Sequence, residues 1–251
     1  PKKNHDLEKN LYEELDKLIK EEFAYLHVGQ WGQQRFGEDR KNIGILIKSF
    51  FKAFANIKNA PALVLKTNGA NFSILDKHEI KKKIQQVKDM FSGVNLPNVY
   101  LIHGDFTIEE MSTLYNHPKI KSMVSLTHGE GFGRPLLEAT MTGLPIIATS
   151  WSGHTDFLPE EKTIMIPGEL KQVPKSQVWK DILIEESQWF EASENHTHNA
   201  LKYSYENINQ LQTKASNLMK ENRDKFTLNK MTEKLDEIME SHIKDIPQQV
   251  G

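Results

Sequence analysis

At 251 residues and roughly 100–200 residues per domain, the chain has room for one large domain or two small ones. It contains no cysteine, which excludes disulfide frameworks, cysteine–zinc sites, iron–sulfur clusters and thiol catalysis together. A net charge of -2 and a pI near 6.6 exert no bulk pull toward nucleic acid or an anionic membrane surface. The composition, 38% hydrophobic and 26% charged, is that of a globular protein. No apolar run approaches the ~20 residues that span a bilayer, and the start shows no secretory h-region. A cytoplasmic location is the expectation. The chain opens on Pro1 rather than Met, as a piece of a longer protein would.

Residues 7–22 predict an amphipathic helix, with Leu7, Leu11, Leu15, Leu18 and Ile19 at helical spacing among Glu and Lys. Its polar face is not basic, so the stripe reads as a packing face. From residue 23 the pattern changes to short apolar runs at 23–28, 62–66, 99–103, 123–127, 146–149 and 163–166. Several are apolar on both faces, as strands buried between helix layers must be. Between them lie helix signals. Residues 41–57 carry a wide stripe from Ile43 to Ile57, and Asp76 with Glu79 has the spacing of a capping box, as has Thr107 with Glu110. Pro135 stands where a first-turn proline belongs, and Gly143 marks that helix's end.

This alternation predicts a doubly wound, Rossmann-like α/β domain with a parallel sheet of about six strands over residues 23–175. Residues 1–22 would link into it, and residues 176–251 would add C-terminal helices packing on it. Strands are expected to cease near Val178, with long polar helices at 195–222 and 228–242. Trp179, Trp189 and Phe190 read as packing anchors for those helices.

The segment that carries chemistry runs from Thr127 to Glu138, Thr-His-Gly-Glu-Gly-Phe-Gly-Arg-Pro-Leu-Leu-Glu. It follows a buried strand and opens a helix, so its glycines fall at the carboxyl edge of the sheet, where ligands bind in this architecture. Glycines allow close backbone approach, and a helix start turns free N–H groups toward an anion. A turn serving only chain reversal is the alternative. Arg134 occupies the place of the third glycine of a dinucleotide fingerprint, and no P-loop is present. Glu130 and Glu138 suit a ligand that carries hydroxyls as well as phosphate. A sugar nucleotide is such a ligand.

These residues carry a resemblance. Glu130-Gly131-Phe132-Gly133 with Glu138 is similar to the E-x7-E motif of retaining GT-B glycosyltransferases, chiefly family four. The run from Ala139 to Ala148 resembles the family's E-A-x-A-x-G-x-P-V-I/V-A stretch. The run from Trp151 to Leu158 resembles the glycine-bearing turn that follows it. Upstream, Val28-Gly29 followed by Arg40-Lys41-Asn42 resembles the V-G-R…R-K-G/N element, and residues 98–104 resemble the N-V-x-F-x-G strand. The similarity covers roughly residues 23–170, in the family's order.

The resemblance implies that Glu130 lies at the donor sugar and that Glu138 binds ribose hydroxyls. Gly131, Phe132 and Gly133 would present N–H groups to the sugar or diphosphate, flanked by His128 and Arg134. Lys41 matches the lysine that neutralises the diphosphate, and Glu130 with Lys41 forms the expected catalytic pair. Gly29 matches the family's first-strand glycine, but Gln30 stands where an arginine follows it. Arg40 or Lys66 would compensate for that lost cation. Gly104 and Asp105 fall where the family holds the base. No metal site is expected: there is no D-x-D, and His103, His128 and His154 lack a tight ligand spacing. No cofactor is expected either, the nucleotide sugar being substrate.

Retaining transfer of this kind needs orientation and electrostatic stabilisation of the departing diphosphate rather than a strong protein nucleophile. The resemblance further implies that the chain is the C-terminal, donor-binding half of a two-domain enzyme transferring a sugar to a hydroxyl. The acceptor-binding N-terminal domain would be the partner, and the half alone would have little or no activity. Two alternatives stand beside this reading: an autonomous sugar-nucleotide binding module, and another GT-B enzyme such as a sugar-nucleotide epimerase or a phosphorylase.

Overall fold

The computed structural model describes residues 5–32, 35–178 and 183–243. All six apolar runs form strands: β1 (Ala24–Val28), β2 (Ala62–Lys66), β3 (Val99–Ile102), β4 (Ile120–Ser125), β5 (Ile146–Thr149) and β6 (Ile164–Ile166). They make one parallel sheet in the order β3-β2-β1-β4-β5-β6. This is the doubly wound order, in which the chain departs to one side from β1 and to the other from β4.

Central β1 shows why the runs are apolar throughout. A period of two sends Tyr25 to one face and Ala24 and Leu26 to the other, and all three are fully buried. Tyr25 joins Leu63, Leu65, Val124 and Ile147 beneath α2 (Ile43–Phe54), α3 (Ile74–Asp89) and α6 (Glu194–Glu206). Leu26 joins Val64, Met123, Ile146 and Ala148 beneath α1 (His5–Leu18), α4 (Ile108–Tyr115), α5 (Arg134–Thr140) and α7 (Ile208–Lys225). Two apolar layers therefore clamp the sheet, and the site is left to the strand ends.

The helix boundaries depart from the sequence reading in instructive ways. α1 stops at Leu18, short of residue 22, and Leu15 and Ile19 are buried in the layer that includes α4. The cap of α3 is Ser73, whose side chain accepts the N–H of Asp76 at 3.1 Å, so Asp76 lies inside the first turn and forms no box with Glu79. Its carboxylate instead accepts the N–H groups of Gly69 and Ala70, both at 2.8 Å, and faces His103 Nε2 at 2.9 Å. The Thr107–Glu110 box of α4 forms as expected.

The expectation that strands cease near Val178 is corrected. β7 (Gly168–Gln172) and β8 (Gln188–Ala192) pair as an antiparallel hairpin. β7 is exposed along its length and β8 buries only Phe190 and Ala192, so neither carries the apolar run by which the other strands were recognised. The single helix expected over 195–222 is also two, separated at Asn207. Trp179 lies outside the described residues. The last helix, α8 (Leu228–Ile243), buries no residue. Among the described residues no helix is long and apolar enough to cross a membrane.

Candidate active site

Because the chain leaves β1 and β4 in opposite directions, the loops after these strands open a crevice at the sheet's carboxyl edge. The loop after β1 ends in the turn Asp39-Arg40-Lys41-Asn42. Asn42 caps α2 with φ 54, a left-handed conformation that Asn tolerates better than most residues. Asp39 Oδ1 accepts the N–H of Ile43 at 3.2 Å, and burial pushes the Asp39 carboxyl up from the ordinary range. The loop after β4 fastens this turn: His128 N–H and Thr127 Oγ1 donate to the Arg40 carbonyl at 2.9 and 3.2 Å. Arg40 Nη1 answers with a hydrogen bond to the Gly129 carbonyl at 2.8 Å.

Glu130 emerges between the two loops. Lys41 Nζ is in direct contact with its Oε1, and Arg40 Nη1 lies 3.3 Å from its Oε2. The Glu130 and Lys41 side chains are only 9% and 10% exposed. Burial by itself would raise the Glu130 carboxyl, but the Lys41 and Arg40 charges outweigh it and hold the group below the usual range. Burial pushes the Lys41 ammonium down, against the pull of Glu130. The result is a desolvated ion pair at a cleft, which is where perturbed groups concentrate in active sites.

Beyond Glu130 the chain runs close against the loop after β5. An ideal Cβ placed on Gly153 would lie 2.1 Å from the Gly131 carbonyl oxygen, and one on Gly133 would lie 2.9 Å from His154 Cβ. Gly133 also has φ 88, so glycine is required there twice over. The N–H groups of Gly131, Phe132 and Gly133 find no acceptor among the described residues. α5 has only seven residues, so the two cations, rather than a long helix dipole, dominate the electrostatics.

Glu138, on α5, faces a different space. A cavity of about 460 Å³ between α4 and α5 is lined by Phe106, Met111, Tyr115, Arg134, Glu138 and Arg223 among others. Tyr115 donates its hydroxyl to Glu138 Oε2 at 3.2 Å, and Arg134 Nε lies 3.2 Å from Oε1. Burial, with the Glu138 charge beside it, raises the Tyr115 hydroxyl, which keeps it a donor.

The other residues singled out in the sequence are distributed around these two spaces. Gly29 packs against the pair, with room for a Cβ only 3.1 Å from His27 Nε2 and 3.3 Å from the Lys41 side chain. Gln30 turns away to donate to the Gly69 carbonyl at 2.7 Å. Lys66 donates to the Gly104 carbonyl at 2.6 Å and lies 4.5 Å from the centre of the Phe106 ring, so its charge is committed to the loop that carries Gly104 and the exposed Asp105. Phe132 is partly exposed, with its ring 5.3 Å from that of Phe157. His128 is placed differently from a ligand-facing residue: its imidazole is fully buried, bonds the Phe190 carbonyl at 2.8 Å and stacks on Trp189 at 4.1 Å. Only its backbone belongs to the cleft. His103 and His154 bond Asp76 and the Thr149 carbonyl respectively, so the three histidines have three separate engagements.

The sequence reading had no means of finding Tyr115, Phe106 and Arg223, which reach the cavity from three separate segments. Nor did it single out Ser152, whose hydroxyl brackets the backbone of Glu130.

Comparison with known proteins bears on what this arrangement is. The profile of the family described as "Glycosyl transferases group 1" matches residues 35–200, well over half of the chain. The chain belongs to this family. The matched segment takes in Arg40, Lys41, Glu130 and Glu138 together. The chain is 28% identical over 91 residues to 2-deoxystreptamine N-acetyl-D-glucosaminyltransferase of Niallia circulans, covering 36% of this chain and 23% of that protein. Its fold resembles Anabaena Alr3699/HepE, crystallised with UDP and glucose, at 14% identity and a TM-score of 0.62, over 93% of this chain and 52% of that one. It also resembles the C-terminal domain of the group 1 glycosyl transferase LpcC of Francisella tularensis, at 16% identity and a TM-score of 0.57, over 91% of this chain and 95% of that domain. The α/β architecture is thus that of GT-B glycosyltransferases; the chain spans 52% of the Anabaena protein and 23% of the Niallia circulans one.

Proposed function

We propose that this chain is the donor-binding half of a retaining, metal-independent glycosyltransferase of family four, and that it binds a nucleoside-diphosphate sugar across the Gly131–Gly133 turn. The observation that carries the reading is the Arg40–Lys41–Glu130 cluster set beside three N–H groups that have no acceptor among the described residues. Cations held by Glu130 and amide donors on the three residues that follow it suit a diphosphate, whose oxygens they would meet in charge-assisted hydrogen bonds. The cavity lined by Glu138 also takes in Arg134, the residue directly after the Gly131–Gly133 turn, and falls in the usual size range for small-ligand pockets. It suits the nucleoside, with Glu138 accepting from ribose hydroxyls and Phe106 offering the base an apolar wall.

In this reading the anomeric carbon–oxygen bond to the diphosphate breaks as the acceptor oxygen bonds to the same face of that carbon. The acceptor proton passes to the departing diphosphate. Lys41 and Arg40 stabilise the charge growing on the leaving group, and Glu130 orients the sugar hydroxyls. The acceptor side belongs to a second domain, in this or another polypeptide.

Calorimetric titration of the 251-residue chain with UDP-, GDP- and ADP-sugars tests the reading. One nucleotide class should bind, and the absence of binding by all three to the folded chain would overturn the proposal. Glu138→Ala should weaken the productive ligand by about 2 kcal/mol, the scale of a hydrogen bond to a charged group. An unchanged affinity would refute the ribose assignment.

A further inference from the structure

Ser152 has φ 79 and ψ -167. This backbone region is populated almost only by glycine, because an L side chain there clashes with its own main chain. A serine held in it needs a compensating interaction, and one is present. Ser152 Oγ accepts the N–H of Glu130 at 2.6 Å and donates to the Glu130 carbonyl at 2.8 Å. The same turn carries the Gly153 N–H to that carbonyl at 3.0 Å. Both backbone polar groups of Glu130 are therefore held by two successive residues of the loop after β5. The adjoining Gly153 approaches Gly131 too closely to admit a side chain, so the contact between the loops has no slack. The strained torsion brings the hydroxyl and the next N–H to the same residue at once.

We propose that Ser152 is a positioning residue for Glu130: it fixes the backbone from which the carboxylate reaches Lys41 and Arg40, at the expense of its own conformation. What Glu130 does to a sugar nucleotide rests on the function proposed above, but the positioning itself can be read without ligand.

Two variants separate positioning from mere structure. Ser152→Ala removes the hydroxyl and keeps the strain, whereas Ser152→Gly removes both. Amide hydrogen exchange, followed by NMR on the 251-residue chain, should show the Glu130 N–H exchanging at least ~10-fold faster in both variants, since both free it from its acceptor. Ser152→Gly should melt at a higher temperature than Ser152→Ala. Affinity for the nucleotide sugar bound by the unaltered chain should nevertheless fall about 10-fold in both, the scale of one lost hydrogen bond. Unchanged protection of the Glu130 amide would overturn the proposal. So would an affinity restored in Ser152→Gly in step with its stability, which is the mark of a purely structural role. If the unaltered chain binds no sugar nucleotide while Glu130 exchange still accelerates, the positioning stands and the donor reading falls.

Discussion

Gly153→Ala should destabilise the chain by about 3 kcal/mol, the upper part of the range for forcing atoms into a packed site, and should remove measurable sugar-nucleotide binding. The added methyl would stand 2.1 Å from the Gly131 carbonyl oxygen, 2.7 Å from the Gly131 carbonyl carbon and 3.0 Å from the Glu130 carbonyl oxygen. All three are backbone atoms, so no flexible side chain can swing aside. The loop after β5 or the Glu130 turn must move, and either movement displaces the cations from the free N–H groups. Gly131→Ala is the internal control. Neither glycine has a positive φ, and a Cβ on Gly131 meets nothing within 4 Å, so the two substitutions differ in space alone. Gly131→Ala should stay within about 0.5 kcal/mol of the parent chain. Urea denaturation of both variants checks this, and equal stabilities would show that the two loops are not in tight contact.

The six parallel strands were legible because the four inner ones are buried on both faces and the edge strands β3 and β6 keep no residue fully exposed, so that an apolar run marks each without help from periodicity. The β7–β8 hairpin lies on the surface. Its only buried residues, Phe190 and Ala192, are separated by Glu191 and preceded by the exposed Gln188, and nothing in those letters distinguishes it from a polar helix start. The Asp76–Glu79 box failed for a related reason. Capping residues compete locally, and Ser73, three positions earlier, captures the Asp76 amide first, freeing the Asp76 carboxylate to hold the loop after β2. At the site, the family resemblance assigned Lys41, Arg40 and Glu130 to one ligand, and the structure joins them because the long loop after β1 and the short loop after β4 meet at the switch point. The sequence could not place His128 correctly. A histidine between a strand and a glycine turn looks available, and only the distant β8, bringing Phe190 and Trp189 over it, takes it out of reach. Ser152 was hidden in the same way, since strain is a property of torsions and not of residue type.

Lys41→Met should be the most damaging single change to ligand affinity, a loss of about 100-fold or more for any diphosphate ligand, as the nearly buried cation of the cleft disappears. Stability should also fall by about 2 kcal/mol. Removing one partner of a buried pair costs about 3–5 kcal/mol when nothing replaces it, and here Arg40 remains 3.3 Å from the Glu130 carboxylate. The dependence on pH identifies the cause. A carboxyl held below its unfolded value contributes stability that is present above the unfolded pKa and is lost as the pH falls through the lowered folded one. Lys41 is the larger of the two charges holding Glu130 down. The gap between the parent chain and Lys41→Met should therefore be widest near neutrality and close as the solution is acidified below the ordinary carboxylate range. Urea midpoints at several pH values measure the gap directly, because the other carboxyls are common to both chains and cancel. A gap independent of pH would mean that the lysine contributes packing rather than charge. Glu130→Gln should have the opposite effect on a bare anion. Glu130 occupies Lys41 in the free chain, so neutralising it should tighten inorganic pyrophosphate while weakening the complete nucleotide sugar, whose hydroxyls lose their charged acceptor. Both ligands weakening together would show that the carboxylate supports the cation's position more than it competes for it.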